Sequence, residues 1–318
     1  MLVIDGEALR ELVPMVDAID AVREAFIGVS SGRFWQPLRL CHEDQTLVMA
    51  AADADGVGTA VKVVSIRSDN PSRGLPTIQA SVVWHDGESG RPTAVLDGDT
   101  VTALRTGAAS GVATAELAEP DATVLAIIGA GSQAHDQIQA VRAVRAIDTV
   151  RIASRTLESA SRLAARISTA GDIAVEVCAS PAEAVSGAHV VCCATPATEP
   201  LFLASALGSR VHINAVGSFR REMCELGSDV LGAATLIAVD QREAAEKEAG
   251  DLIRALTDGT LTPDRFIEIG DILQSGDPSR RDRITVFKSV GLAAQDWAIA
   301  RLAVARATVG AALEGERS

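Results

Sequence analysis

The sequence contains no uninterrupted apolar run of about 18 residues, the length that a membrane-spanning helix needs. It also lacks the basic start and apolar core of an export signal, because the chain begins MLVIDGEALREL. Its five cysteines form no CxxC pair, and neither they nor the five histidines fall at the spacing of metal ligands. These absences predict reduced thiols, no bound metal and a cytoplasmic location.

Positive charge is scarce as well. The chain carries 29 lysines and arginines against 42 aspartates and glutamates, which gives a net charge of −13. This balance argues against nucleic acid or an anionic membrane surface as the main partner. The HExxH and P-loop motifs are also absent, and a hydrolase or a metalloenzyme is not favoured. A small anionic ligand would have to be held by local cations.

The length of 318 residues predicts about two domains, and 47% hydrophobic with 22% charged residues is a globular composition. Apolar residues at helical spacing predict one helix over residues 6–32. Valine- and alanine-rich segments bounded by turn residues predict strands over 46–52, 58–66, 78–86 and 92–98. With an alanine-rich helix over 99–117, these strands predict an α+β domain.

From about residue 121 the pattern changes to alternating strands and helices, which is typical of a parallel, doubly wound Rossmann sheet. A last helix, over about 290–309, follows this region, and we expect it to return to the first domain. The predicted fold is therefore α/β, with a Rossmann domain at 118–283 inserted into an α+β domain of residues 1–117 plus 284–318. The inserted domain would bind a dinucleotide.

A glycine-rich loop supplies the dinucleotide site. Gly129, Gly131 and Ala134 form a G-x-G-x-x-A pattern between an apolar strand and an amphipathic helix. Gly129 permits the tight turn, and Gly131 lets the backbone approach a pyrophosphate. The helix begins near Ser132 and Gln133, and its N-terminal N–H groups would bind the phosphates.

The end of the second strand of this domain indicates which dinucleotide binds. An NAD-specific site usually has an acidic residue there, but this sequence has Ser154, Arg155 and Thr156. Arg155 and the two hydroxyls would bind a 2′-phosphate, since no carboxylate repels it. We therefore expect NADP(H) to be preferred, with NAD(H) as the alternative. An arginine that is merely solvated after a strand would leave the same pattern.

Lys62 is unusual because it lies in the apolar stretch GTAVKVVSI, which reads as a strand buried on both faces. Arg39 follows a proline, and Arg105 lies in a helix of small apolar residues. Each cation alone is more often a structural residue. Together, in an acidic protein with a nicotinamide site, they predict a clamp for a small carboxylate. We expect Lys62 to stay unpaired until that carboxylate arrives.

Several motifs resemble those of the ornithine cyclodeaminase and μ-crystallin family over nearly the whole chain. They are QPLR, VKVVS, GLPTIQA, VLDGDTVTALRTGAAS, IIGAGSQA, ATPATEPLF, INAVGS and ITVFKSVGLAAQD, in this order. The resemblance implies that the domain built from both termini binds the substrate and forms a homodimer, and that the Rossmann domain binds the cofactor.

The resemblance also implies roles for individual residues. Arg39 and Lys62 would meet the substrate carboxylate as the catalytic pair, and Arg105 would lie between the substrate and the cofactor. The remaining cofactor contacts implied outside the glycine and ribose loops are Thr77, Thr106, Ala194, Thr195, Val216 and Ser289.

One departure from the family pattern bears on the reaction. After the INAVG motif, ornithine cyclodeaminases have a sequence that resembles GGD. This chain has GSFRREM there, with Phe219 in place of the aspartate. A phenyl ring is no general base, and Glu222 is the acid nearby that could take its place. The stretch resembles the reductase branch, which implies reduction of a cyclic ketimine such as Δ1-pyrroline-2-carboxylate or Δ1-piperideine-2-carboxylate to proline or pipecolate.

Three alternatives follow from the same residues. The first is an amino acid dehydrogenase of the alanine type that acts through an acyclic imine. The second is ornithine cyclodeamination, which Phe219 disfavours. The third is an NADP-dependent protein that binds a small molecule without reducing it.

Overall fold

A computed structural model describes residues 1–43, 45–168, 173–276 and 283–315, with the backbone alone at 71 and 310–315. The elements of the first part of the chain are β1 (Leu2–Ile4), α1 (Gly6–Leu12), α2 (Met15–Ser30), β2 (Phe34–Trp35), β3 (Leu40–His42), β4 (Thr46–Asp53), β5 (Gly58–Ile66), β6 (Ile78–Asp86), β7 (Pro92–Asp97) and α3 (Gly98–Leu117). A short 3-10 helix spans Asn70–Arg73.

The elements that follow are β8 (Val124–Ile128), α4 (Ala134–Val144), β9 (Thr149–Ala153), α5 (Leu157–Ser168), β10 (Ala174–Val177), α6 (Pro181–Val185), β11 (Val190–Cys193), β12 (Val211–Ala215), α7 (Ser228–Ala233), β13 (Leu236–Val239), α8 (Arg242–Glu248), α9 (Gly250–Thr257), β14 (Phe266–Glu268), α10 (Ile269–Ser275), β15 (Ile284–Lys288) and α11 (Ala293–Gly315). Two more 3-10 helices lie at Ala204–Ala206 and Pro263–Arg265. The chain divides into two compact units, Met1–Arg105 with Leu292–Ser318, and Thr106–Gly291.

The first unit is built on a sheet with the strand order β1-β7-β6-β5-β4-β2, in which β3 also pairs with β4. The β1–β7 pair is parallel and the other pairs are antiparallel. The C-terminal helix α11 packs against α2 and against β4, β5 and β6. Residues far apart in sequence therefore meet where α11 crosses the middle of this sheet.

Two sequence predictions for this unit were wrong in detail. The helix predicted over 6–32 is interrupted, because Pro14 has no N–H to donate, and α1 and α2 lie on either side of it. The strand β5 is not buried on both faces. Lys62 lies on the buried face, whereas Val63 on the other face is 39% exposed. Valine fits a pleated strand whether or not its face is covered, so the valines gave a false signal of burial.

The second unit contains a fully parallel sheet with the order β10-β9-β8-β11-β12-β15-β13-β14. The chain turns from β8 outward in one direction to β9 and β10, and then resumes on the other side with β11. The carboxyl ends of β8 and β11 therefore form the topological switch point at which such sheets bind ligands. The predicted Rossmann-type α/β class is confirmed.

The last strand of this sheet extends the unit beyond the predicted boundary. Strand β15 pairs with β12 and β13, so residues 284–288 belong to the parallel sheet. The two units divide at residues 105/106 and 291/292, whereas the sequence suggested 117/118 and 283/284. Within the described part of the chain, no helix is both long and apolar enough to cross a membrane.

The dinucleotide loop is supported by a dense core. Ile138 of α4 and Leu163 of α5 pack with Leu125 of β8 and Val150 of β9 in one buried cluster. Each fully buried aliphatic side chain contributes about 1.5–3 kcal/mol of transfer free energy. The start of α4, and with it the glycine loop, is therefore held on a rigid base.

Candidate active site

Lys62 lies in the centre of β5 and is only 2% exposed. Its Nζ lies 2.7 Å from Oδ1 of Asp296 and donates to Thr102 Oγ1 at 3.3 Å. The pKa of Lys62 is lowered to about 8. Burial is the main cause, the charge of Asp296 opposes the lowering, and the charges of Arg105 and Arg39 add to it. The expectation of an unpaired lysine was therefore wrong, because a buried ammonium needs a partner and α11 provides one.

Arg105 shares the same carboxylate. Its Nε lies 3.5 Å from Asp296 Oδ1, and its Nη1 donates to Gln295 Oε1 at 3.2 Å. The amide oxygen of Gln295 also accepts from Leu292 N at 2.9 Å, which ties the arginine to the start of α11. One carboxylate thus faces two cations, and the positive charge of Arg39 acts on the same lysine. The local balance favours an additional anion.

Asp296 is the residue that sequence reasoning missed. It is 1% exposed, and among the described residues its Oδ2 has no hydrogen-bond partner. A buried acceptor without a partner costs about 1–3 kcal/mol, so this atom fits a site that a ligand or water completes. The sequence signal was the same as for Lys62, a single charge in an apolar stretch, GLAAQDWAIA.

The glycine loop has the geometry that a pyrophosphate requires. Gly129 has φ +103°, and a Cβ at this position would lie 2.6 Å from the carbonyl oxygen of Ala194. The space next to Gly131 is open. No side chain caps the N-terminus of α4 at Gln133, and Ser132 beside it is exposed. The backbone N–H groups of this turn are therefore placed to receive an anion.

The loop after β9 contains the residues predicted to read the ribose. Arg155 is exposed, and Ser154 is partly buried. Thr156 lies just before α5 and caps it, since its Oγ1 accepts from Ser159 N at 3.3 Å and donates to Ser159 Oγ at 2.8 Å. Its hydroxyl is thus already engaged as a helix cap, which leaves Arg155 as the main candidate to bind a 2′-phosphate.

The residues expected beside the nicotinamide follow adjacent strands. Ala194 and Thr195 come after β11, Val216 after β12 and Ser289 after β15. Ser289 Oγ donates to the buried carboxylate of Asp240 at 2.8 Å, which holds the loop after β15. These positions share one edge of the parallel sheet, where Rossmann folds bind their ligands.

Two other predicted contacts lie apart from these loops in the chain. Thr77 is exposed just before β6, where its carbonyl accepts from Arg67 N at 2.8 Å. Thr106 is buried in α3. Their predicted contacts with the dinucleotide stay predictions.

A family model matches residues 2–310. The chain belongs to the ornithine cyclodeaminase/mu-crystallin family. It is 38% identical to the Delta(1)-pyrroline-2-carboxylate reductase of Bacillus cereus over an alignment of 316 positions, which covers 96% of this chain and 97% of that protein. The predicted family is confirmed.

Solved structures of other members superpose closely. The Delta(1)-pyrroline-2-carboxylate reductase of Thermococcus litoralis, in complex with NADH and L-proline, is 34% identical, with a TM-score of 0.92 and 98% of both chains covered. An archaeal alanine dehydrogenase dimer with bound NAD is 31% identical, with a TM-score of 0.89, and the match covers 98% of this chain and 97% of that one.

Phe219 takes the place of the aspartate that the resemblance to the cyclodeaminases implies after the INAVG motif. The guanidinium of Arg220 lies 5.5 Å from the centre of its ring, an arrangement typical of a cation–π contact. Arg220 also forms an ion pair, in which its Nη1 lies 3.8 Å from Glu222 Oε1. The acid that could have replaced the missing aspartate is thus paired with an arginine.

Proposed function

We propose that this protein uses NAD(P)H to reduce a cyclic α-imino acid, Δ1-pyrroline-2-carboxylate or Δ1-piperideine-2-carboxylate, to L-proline or L-pipecolate. The buried cluster of Lys62, Arg105 and Asp296 carries the proposal, because it combines an excess of cations with a lysine that can exchange a proton. Similarity to the reductases of Bacillus cereus and Thermococcus litoralis supports the substrate class.

The proposed cofactor, NADP(H) with NAD(H) as the alternative, supplies the hydride that reduces the imine carbon. Gly129, Gly131 and the start of α4 would hold its pyrophosphate. Arg155 supports NADP(H), because its exposed guanidinium follows β9 where an NAD-specific site would carry an acid. The reductase of Thermococcus litoralis holds NADH, so NAD(H) stays the alternative for this chain.

The cations of the first unit would orient the substrate. Arg39 and Arg105 would bind the carboxylate on the imine carbon, and Lys62 would contribute charge beside them. Fixing the carboxylate fixes the adjacent carbon toward the hydride donor. Binding by guanidinium groups also discriminates against substrates without a carboxylate, because such substrates offer no anion for charge-assisted hydrogen bonds.

Lys62 would supply the proton. With a pKa of about 8 the amine is mostly an ammonium at neutral pH, so it can donate to the imine nitrogen as the carbon accepts hydride. In amino acid oxidation the same nitrogen loses a proton, and the neutral lysine would accept it. Reduction should therefore slow as the pH rises through about 8, and oxidation should speed up over the same range.

A panel of substrates tests the proposal. Purified protein with NADPH or NADH should oxidise the cofactor fastest with preformed cyclic imino acids, and more slowly with pyruvate plus ammonia. L-Ornithine with NAD should yield no proline, because Phe219 offers no base. Faster turnover of pyruvate with ammonia would favour an alanine-type dehydrogenase, as the similarity to the archaeal enzyme suggests. Tight NADPH binding without turnover would favour a binding protein.

Arg155→Ala should raise the KM for NADPH by about tenfold or more and leave that for NADH nearly unchanged, because only the former has a 2′-phosphate. Initial rates with both cofactors measure this difference. The control is Arg162→Ala, which removes an exposed arginine of α5 that pairs with Glu158. Equal effects of Arg155→Ala on both cofactors would mean that another residue reads the phosphate.

We also propose a homodimer. The dimer of the archaeal alanine dehydrogenase supports it, since the match covers 98% of this chain. Light scattering coupled to gel filtration would give the mass directly.

A further inference from the structure

A buried carboxylate joins the two loops that follow β11 and β12. Glu225 is fully buried, and its two side-chain oxygens accept four hydrogen bonds. Oε1 accepts from Thr195 N at 2.7 Å and from Thr195 Oγ1 at 2.8 Å. Oε2 accepts from Gly217 N at 2.9 Å and from Ser218 N at 3.1 Å. Each oxygen thus holds one loop.

The loop after β11 is in close contact with the loop after β12 and with the glycine loop. A Cβ on Gly217 would lie 2.2 Å from Thr195 N and 2.5 Å from Glu225 Oε1, so only glycine fits between them. The carbonyl of Ala194 closes on Gly129 in the same way. The loop after β11 is therefore tightly packed against both of its neighbours.

A buried ion pair lies behind Glu225. Its own N–H, and that of Leu226, donate to Asp251 Oδ1, while Asp251 Oδ2 lies 2.9 Å from Lys288 Nζ. The same ammonium donates to Ser218 O at 2.6 Å. Burial and the charge of Asp251 raise the pKa of Glu225, and Lys288 and the hydrogen bonds from Thr195 oppose this rise. Four donors directed at the two oxygens require the carboxylate, because a protonated oxygen would face an N–H or O–H donor.

We propose that Glu225 is a positioning residue for the nicotinamide half of the cofactor. Its oxygens are fully used by the two loops, so it would act through Thr195 and Gly217 and not by contact with the ligand. The hydroxyl of Thr195 is committed to Glu225, so this residue would present its backbone and methyl group to the ring. The inference rests on the proposed use of a nicotinamide dinucleotide.

The test is Glu225→Gln, which keeps the size of the side chain but replaces one oxygen by an NH₂ group. That group would face either the two donors of Thr195 or those of Gly217 and Ser218, so one loop must move. The Kd of NADPH should rise about tenfold or more, as expected for the loss of charge-assisted hydrogen bonds. The Kd of 2′-phospho-ADP-ribose, which lacks the nicotinamide, should stay within about twofold. Calorimetric titration measures both.

The matched control is Glu199→Gln, which makes the same change on the loop after β11, at a side chain that is 80% exposed and pairs with Arg254. Both Kd values should then match those of the wild type. A second variant covers the case in which Glu225→Gln does not fold. Thr195→Val removes one hydrogen bond to Glu225 and keeps a methyl group, so the Kd of NADPH should rise and that of 2′-phospho-ADP-ribose should not.

The outcomes separate the inference from the function on which it rests. If the variants weaken both nucleotides equally, or neither, Glu225 does not position the nicotinamide and the inference fails. If the wild type binds neither NADPH nor NADH, the proposed function fails first. If the wild type prefers NADH, the same comparison of Kd values is made with NADH and ADP-ribose.

Discussion

Lys62→Met should lower kcat/KM for the cyclic imino acid by about 100-fold or more, while the Kd of NADPH stays nearly unchanged. Methionine keeps an unbranched apolar stem, one atom shorter than lysine, but removes the charge and the proton. Asp296 would keep Arg105 as its partner at 3.5 Å, so no isolated charge remains in the core. Steady-state rates with NADPH, and a titration of NADPH alone, separate the loss of chemistry from a loss of cofactor binding.

The control for this variant is Lys247→Met. Lys247 is one of only three lysines in the chain, and it lies exposed on α8, where it pairs with Glu243. The substitution is chemically identical and should leave kcat/KM unchanged. Turnover at the wild-type rate in Lys62→Met would end the proposed role of this lysine. The pH profile of the variant gives a second reading, because the loss of rate above about pH 8 should be absent.

Local pattern was sufficient to predict much of the fold. Strands β5 and β6 have the predicted bounds, 58–66 and 78–86, because valine-rich segments between turn residues specify a strand without help from the rest of the chain. The glycine pattern was equally local, since its turn, strand and helix are contiguous. What local pattern could not show is which face of β5 is covered, because that depends on α11, more than two hundred residues later.

The same limit applies to the candidate site. The charge of Lys62 was conspicuous in its own strand, but its partner Asp296 lies 234 residues away in sequence. The burial of Glu225 could not be predicted from the sequence, because it lies in the polar stretch RREMCELGSD, which is typical of an exposed loop. It is buried because the loop after β12 folds over the start of α9, where a Cβ on Gly250 would lie 2.0 Å from the carbonyl oxygen of Met223. Such tertiary pairings carry no periodicity that a sequence reader can detect.

Asp296→Asn should move the loss of reductase activity to lower pH. The carboxylate is the charge that opposes the lowering of the pKa of Lys62 by burial, so its removal lowers that pKa further below about 8. The alkaline limb of kcat/KM for imine reduction should therefore shift by about one pH unit or more toward acid. For amino acid oxidation the rise in rate should begin at correspondingly lower pH. Profiles measured in both directions give this shift independently of the absolute rate.

A double variant makes the coupling measurable. If Asp296 acts through Lys62, the double variant Lys62→Met with Asp296→Asn should be about as active as Lys62→Met alone. Without Lys62, the second substitution has no lysine pKa to change. Asp17→Asn is the control, since it removes a more exposed carboxylate of α2 that pairs with Arg306 of α11. An alkaline limb that stays in place in Asp296→Asn would show that the titrating group is not Lys62. The proton would then come from another group, and Asp296 would only hold Arg105 and Lys62 in position.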